Sequence, residues 1–170
     1  LVVRDDLPLL AWAQGAEPLK VLLALDRTWT SAMARDWVGR LSEYGPLDLV
    51  ASHICWPADE YARRGLSPPP EADGHEELAT LIRREAESTL KGLPANVTHR
   101  VHLEIGLKHV SERLLALSVA ERVDMFVVGT HPKHGQMARL WSVSHDVLGL
   151  APMSVVCVPG VERSAARGTR

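Results

Sequence analysis

The chain has 170 residues, 46% hydrophobic and 24% charged, with a formal net charge of -2. That length suits one ordinary domain with a core of its own, and the near-neutral balance excludes the global basic field that draws nucleic acid or anionic lipid. Nothing approaches the roughly 18 consecutive apolar residues of a membrane span, no basic-then-apolar leader opens the chain, and Cys55 and Cys157 form neither a metal-type pair nor a disulfide framework, which suits a reducing, cytoplasmic setting.

Leu1 to Arg4 is a short apolar run closed by charges, and the stretch from Asp5 to Pro18 carries Pro8, Gly15 and Pro18 with no sustained period, so it reads as a strand followed by a linker. Lys20 to Asp26 is an apolar run ending in a carboxylate, the pattern of a parallel strand covered on both faces. Thr30 can cap a helix that places Ala34, Trp37, Val38 and Leu41 on one face, and Gly45-Pro46 stops it. Leu47 to Trp56 is the second strand. A Pro-rich excursion from Pro57 to Gly74 follows, long enough to be a functional flap or an unstructured loop.

Leu78, Leu81, Ile82, Leu90 and Leu93 then mark an amphipathic helix from Glu76 to Pro94, and Val97 to Leu103 alternates as a half-exposed strand does. A third helix is predicted over Lys108 to Arg122. Met125 to Val128 form a fourth apolar strand that breaks at Gly129, and a polar loop with Gly135 leads to a short helix over Ser142 to Leu150. Ser154 to Val158 is the last strand, and the polar tail from Gly160 to Arg170 reads as disordered. Strict alternation of strand and helix predicts right-handed crossovers and a mainly parallel sheet with helices on both faces. In such sheets ligands bind at the carboxyl edge, where a glycine break turns backbone N–H groups toward an anion.

From Val123 to Pro159 the chain reads Val-Asp-Met-Phe-Val-Val-Gly-Thr-His and later Ser-Val-Ser-His-Asp-Val-Leu-Gly-Leu-Ala-Pro-Met-Ser-Val-Val-Cys-Val-Pro. On these motifs the segment Pro18 to Pro159 resembles a universal stress protein domain. The resemblance implies a three-layer α/β/α fold with a five-stranded parallel sheet in the order 3-2-1-4-5 and dimerisation through the last strand. It also implies an adenine-nucleotide site, whose positions here are Asp26, Ile54, Gly129, Thr130, His131, Gly135, Ser142 and Val143. ATP-binding members carry, after the fourth strand, a glycine, two residues, a glycine, nine residues and then Gly-Ser or Gly-Thr. Here Gly129 and Ser142 match, Pro132 replaces the second glycine, Trp141 replaces the glycine of the final pair, and the segment is one residue short. Pro132 removes an N–H and fixes φ, and Trp141 puts a ring where a phosphate would approach main chain. Gly135 restores some backbone freedom, and His131, Lys133 and His134 could supply positive charge.

Leu1-Val-Val-Arg also resembles the family's last strand, so residues 1–17 read either as the end of a preceding tandem domain or as an extended arm, with the domain proper over 18–159 and a tail over 160–170. Among single features, His131 and His134 lack the third and fourth ligands that zinc requires, and loop histidines in solvent are the plainer reading. Ser144-His145-Asp146 cannot act as a triad, because consecutive helical side chains point about 100° apart. Ser142 and Ser144 read first as helix caps, Arg63-Arg64 and Arg83-Arg84 as solvated faces, and Trp29, Trp37, Trp56 and Trp141 as packing under the Pro-rich excursion. No metal and no catalytic residue is expected. Two readings stand: a non-enzymatic stress-response interaction protein with a degenerate nucleotide pocket, pairing as a homodimer or with a tandem domain, and an ATP-binding module of the same family.

Overall fold

The computed structural model describes residues 1–67, 75–106, 109–130 and 143–160. Helix α1 (Leu7–Ala13) precedes β1 (Leu19–Ala24), α2 (Trp29–Leu41), a short 3-10 turn (Ser42–Tyr44) and β2 (Leu47–Cys55). Then follow α3 (Pro57–Arg63), α4 (Glu76–Leu90), β3 (Val97–Ile105), α5 (Val110–Ala120), β4 (Met125–Thr130), α6 (Val143–Leu150) and β5 (Ser154–Pro159). The strands form one sheet in the order β3-β2-β1-β4-β5, every pair parallel. This is the expected doubly wound order.

Strand register explains the two cores. Val21, Leu23, Leu49, Ala51 and Val127 point to one face and pack with Ala34 and Val38 of α2 and Ala86 and Leu90 of α4. Leu22, Ile54, Phe126, Val128 and Val155 point to the other and pack with Leu114 of α5 and Val147 of α6. Because side chains alternate along a strand, continuous apolar runs are what a sheet covered on both sides needs.

Two segments differ from the sequence reading. The stretch read as a linker contains α1, too short to show a period; Pro8 sits in its first turn, and Trp12 is buried in the core with its indole N–H donating to Pro46 O at 2.9 Å. The excursion after Trp56 begins with α3, which Pro57 opens and whose ends suit the helix dipole, with Asp59 and Glu60 in the first turn and Arg63 in the last. At the amino end Val2 makes an antiparallel bridge to Val155 of β5, its N–H donating to Val155 O at 2.8 Å and its carbonyl accepting from Val155 N at 2.9 Å. The arm therefore lies on the otherwise open edge of β5.

Candidate functional site

The order reversal falls between β1 and β4. Ala24 pairs with Val128, so the register carries Asp26 and Thr130 to the same level just past the ladder, at the carboxyl edge. Asp26 organises the turn there. Its N–H donates to Ser31 Oγ at 2.9 Å, and its carboxylate accepts from the Thr28 N–H at 2.9 Å and from the hydroxyls of Thr28 and Ser31. The chain reverses through Arg27 at φ 64°, a left-handed conformation uncommon outside glycine, and enters α2 from Thr28.

Gly129 is fixed by packing. A Cβ at this position would lie 2.5 Å from Thr30 O and 2.6 Å from Thr30 C, so the first turn of α2 sits directly on the backbone of β4. Thr130 closes the strand, its hydroxyl donating to Val158 O at 3.3 Å and its carbonyl accepting from Gly160 N at 3.0 Å. His131, Gly135 and Ser142, together with Pro132 and Trp141, lie outside the described residues.

A crevice of about 420 Å³ opens over the carboxyl ends of β1 and β2, within the range of small-molecule sites. It brings together Asp26, Ile54 and Val143, three of the positions singled out in the sequence, from three different elements. Its remaining walls are His53, Cys55, Trp56, Asp59, Glu60, His109, Val110, Ser111 and Asp146. On the far side of His53 a second cavity of about 370 Å³ lies between α2 and α4, with Trp29, Arg27 and Glu85 on its wall. Trp29 and Trp56 keep 44% and 40% of their surface exposed, so they border the two openings instead of filling the space under α3.

Between the two openings runs an ion network that the sequence reading missed. Glu60 Oε2 accepts from Arg27 at 2.9 Å and from Arg63 at 2.6 Å, with Arg64 Nε 3.5 Å away. Arg64 makes a bidentate pair with Glu85 at 2.9 and 3.1 Å, and Arg27 also pairs with Glu85. Glu60 is 6% exposed. Arg63 and Arg64 are thus clamps on the buried Glu60 and the half-buried Glu85 and not merely a solvated face. The signal was the three-and-four spacing of Glu60 to Arg63 and Arg64, which has meaning only on a helix.

Burial holds the His53 imidazole below its ordinary 6.5, against the opposing pull of the Leu25 carbonyl and Glu60. Burial alone would raise Glu60 and Glu85, but hydrogen bonds from Arg63 and Arg64 respectively, with the Arg27 charge, bring both below 4.5. In each case the unfolded chain binds protons at a higher pH than the folded one, so folding stability is lost as pH falls. The melting temperature is expected to drop as pH is lowered from 6.5 towards the folded pKa of His53, and again below 4.5 as the two glutamates protonate. His53→Gln should flatten the upper step and leave the lower one. A melting temperature flat from pH 7 to 3 would contradict this arrangement.

The model of the universal stress protein family matches residues 19–159. Among solved structures, a hypothetical protein whose biochemical function was assigned from its structure aligns with a TM-score of 0.65 at 19% identity, covering 84% of this chain and 96% of that one. A universal stress protein in complex with cAMP aligns with a TM-score of 0.59 at 18% identity over 84% and 97% of the two chains. The universal stress protein from Archaeoglobus fulgidus in complex with dAMP gives 0.57 at 14% identity over 84% and 98%. At these identities the likeness establishes the fold. No curated protein sequence matches the chain.

Proposed function

Because the chain belongs to the universal stress protein family, we propose that it is a stress-response interaction protein, working by association and not turnover, whose crevice takes the adenosine part of a nucleotide in preference to a polyphosphate. The observation that supports this is the charge of the crevice. Asp26, Asp59 and Asp146 line it beside the arginine-paired Glu60, and no lysine or arginine does among the described residues. A triphosphate entering those walls meets carboxylates of its own sign. Ile54 and Val143 offer apolar contact to a base, and Asp26 an acceptor for a ribose hydroxyl. For association, the edge of β5 is the surface in question: Val2 bridges it at Val155 alone, and a partner strand would pair along the rest of the edge or take the arm's place. A second copy or a tandem domain is the partner this reading expects there.

The competing reading, an ATP-binding module, draws support from the meeting of Asp26, Ile54 and Val143 in one crevice and from neighbours solved with cAMP and dAMP. Thermal shift separates the two. A ligand at ten times its dissociation constant adds about 1.4 kcal/mol, or about 3–6 °C for a domain of this size. Millimolar adenosine or AMP is expected to raise the melting temperature, and ATP to raise it less. An ATP shift equal to or larger than that of adenosine, or stoichiometric ATP released on denaturation, would favour the second reading.

A further inference from the structure

His53 and Cys55 stand two apart on β2, so both side chains leave the same face of the sheet, toward α3. There Glu60, in the first turn of α3, meets them. One donor atom from each of the three residues lies within 4.8 Å of the other two, and all three residues are buried. Nδ1 of His53 lies 2.8 Å from Leu25 O, and since a carbonyl only accepts, Nδ1 carries the proton. Burial favours the neutral ring, in which Nε2 then carries a lone pair; that nitrogen is buried and without a hydrogen-bond partner among the described residues, 3.7 Å from Glu60 Oε1. A lone pair facing a carboxylate oxygen is a repulsive arrangement in a neutral site. A cation between them removes the repulsion.

We propose that His53 Nε2, Cys55 Sγ and Glu60 Oε1 form a binding site for one divalent first-row transition ion of the Zn2+ class.

The surroundings are those of a metal site. A metal-bound histidine ordinarily gives its other ring N–H to a backbone carbonyl, as His53 does to Leu25, and a metal-bound carboxylate is itself hydrogen-bonded, as Glu60 Oε2 is by Arg27 and Arg63. The guanidiniums fall on Oε2 and leave Oε1 for the ion. One nitrogen, one sulfur and one oxygen make a borderline-soft donor set, and three protein ligands leave a coordination position open. All three residues border the crevice, so that position is reached from it. With three arginines nearby, the ion must be chosen for affinity to sulfur and nitrogen over charge alone, which excludes Mg2+ and Ca2+. Burial pushes the Cys55 thiol up to about 11, so at neutral pH the thiol proton leaves to bulk solvent as the metal–sulfur bond forms.

Co2+ is the probe, titrated into the full chain at pH 8. One equivalent is expected to produce a thiolate-to-cobalt charge-transfer band, displaced by Zn2+ and unaffected by excess Mg2+ or Ca2+. Its affinity should rise about tenfold per pH unit between pH 7 and 9, as release of one proton requires. The band should vanish in Cys55→Ser, survive in Cys157→Ser, and need at least about tenfold more cobalt in His53→Gln. Should Cys55→Ser fail to fold, the wild-type and Cys157→Ser titrations decide the matter. No thiolate band in the wild-type chain, or a band lost with Cys157, overturns the proposal. Neither result bears on whether the crevice takes adenosine.

Discussion

Replacing Glu60 by alanine is expected to lower the melting temperature by about 6–12 °C, from a loss near 3 kcal/mol at about 2–4 °C per kcal/mol for a chain of this length. The reason is what the substitution leaves behind. Arg27 and Arg64 keep only 18% and 12% of their side-chain surface, and Glu60 is the carboxylate they share with Arg63. Removing one partner of a buried pair leaves charge in a low dielectric without compensation, at about 3–5 kcal/mol. The lower end applies here, since Arg63 is nearly half exposed and Arg27 and Arg64 keep Glu85. Urea unfolding monitored by circular dichroism measures the change, with the exposed Glu43→Ala as a control expected within about 0.5 kcal/mol of wild type. A Glu60→Ala loss no larger than that of the control would mean that the clamp between α3, α4 and the β1–α2 turn carries no net stability.

Gly129→Ala is expected to lower stability by about 1–3 kcal/mol, or about 6–12 °C at the upper end, although the substitution adds a single methyl group. The atoms it meets are the carbonyl oxygen and carbon of Thr30, main chain in the first turn of α2, which cannot rotate aside. Relief requires α2 to lift from β4, and Asp26, which tethers that same turn through Thr28 and Ser31, resists it. Gly160→Ala is a useful comparison. There the added methyl meets the partly exposed Trp29 ring and Thr30 Cγ2, side-chain atoms and not main chain, so a smaller loss than at Gly129 is expected. If Gly129→Ala melts with wild type, the glycine is free of the packing role, and its place at the carboxyl edge would be owed to a ligand alone.

The doubly wound sheet was legible in the sequence because each strand is covered on both faces and so announces itself as an apolar run. Leu19–Ala24, Met125–Thr130 and Ser154–Pro159 all fall where those runs lie, and the alternation with amphipathic helices leaves few ways to connect them. The end of the first run at a carboxylate and of the fourth at a glycine likewise marked the edge that carries the crevice. Short elements were not legible. Seven residues of α1 and seven of α3 complete only two turns each, too few for a period to emerge against Pro8 or the Pro-rich stretch after Trp56.

What the sequence by itself determined is therefore the alternating strand-and-helix plan, which follows from local patterns, and, through its resemblance to the family, the strand order and the meeting of Asp26, Ile54 and Val143 at one rim. Only the tertiary structure decided that Glu60 is buried among three arginines, that His53 and Cys55 turn toward it, and that Gly129 is held by Thr30. Those contacts join residues 33 and 99 positions apart in the chain (Arg27 to Glu60, Thr30 to Gly129). No local pattern encodes such distances. They come into being when α2 and α3 settle on the carboxyl edge, where the geometry of the packed elements, and not the spacing of residues, sets which side chains meet.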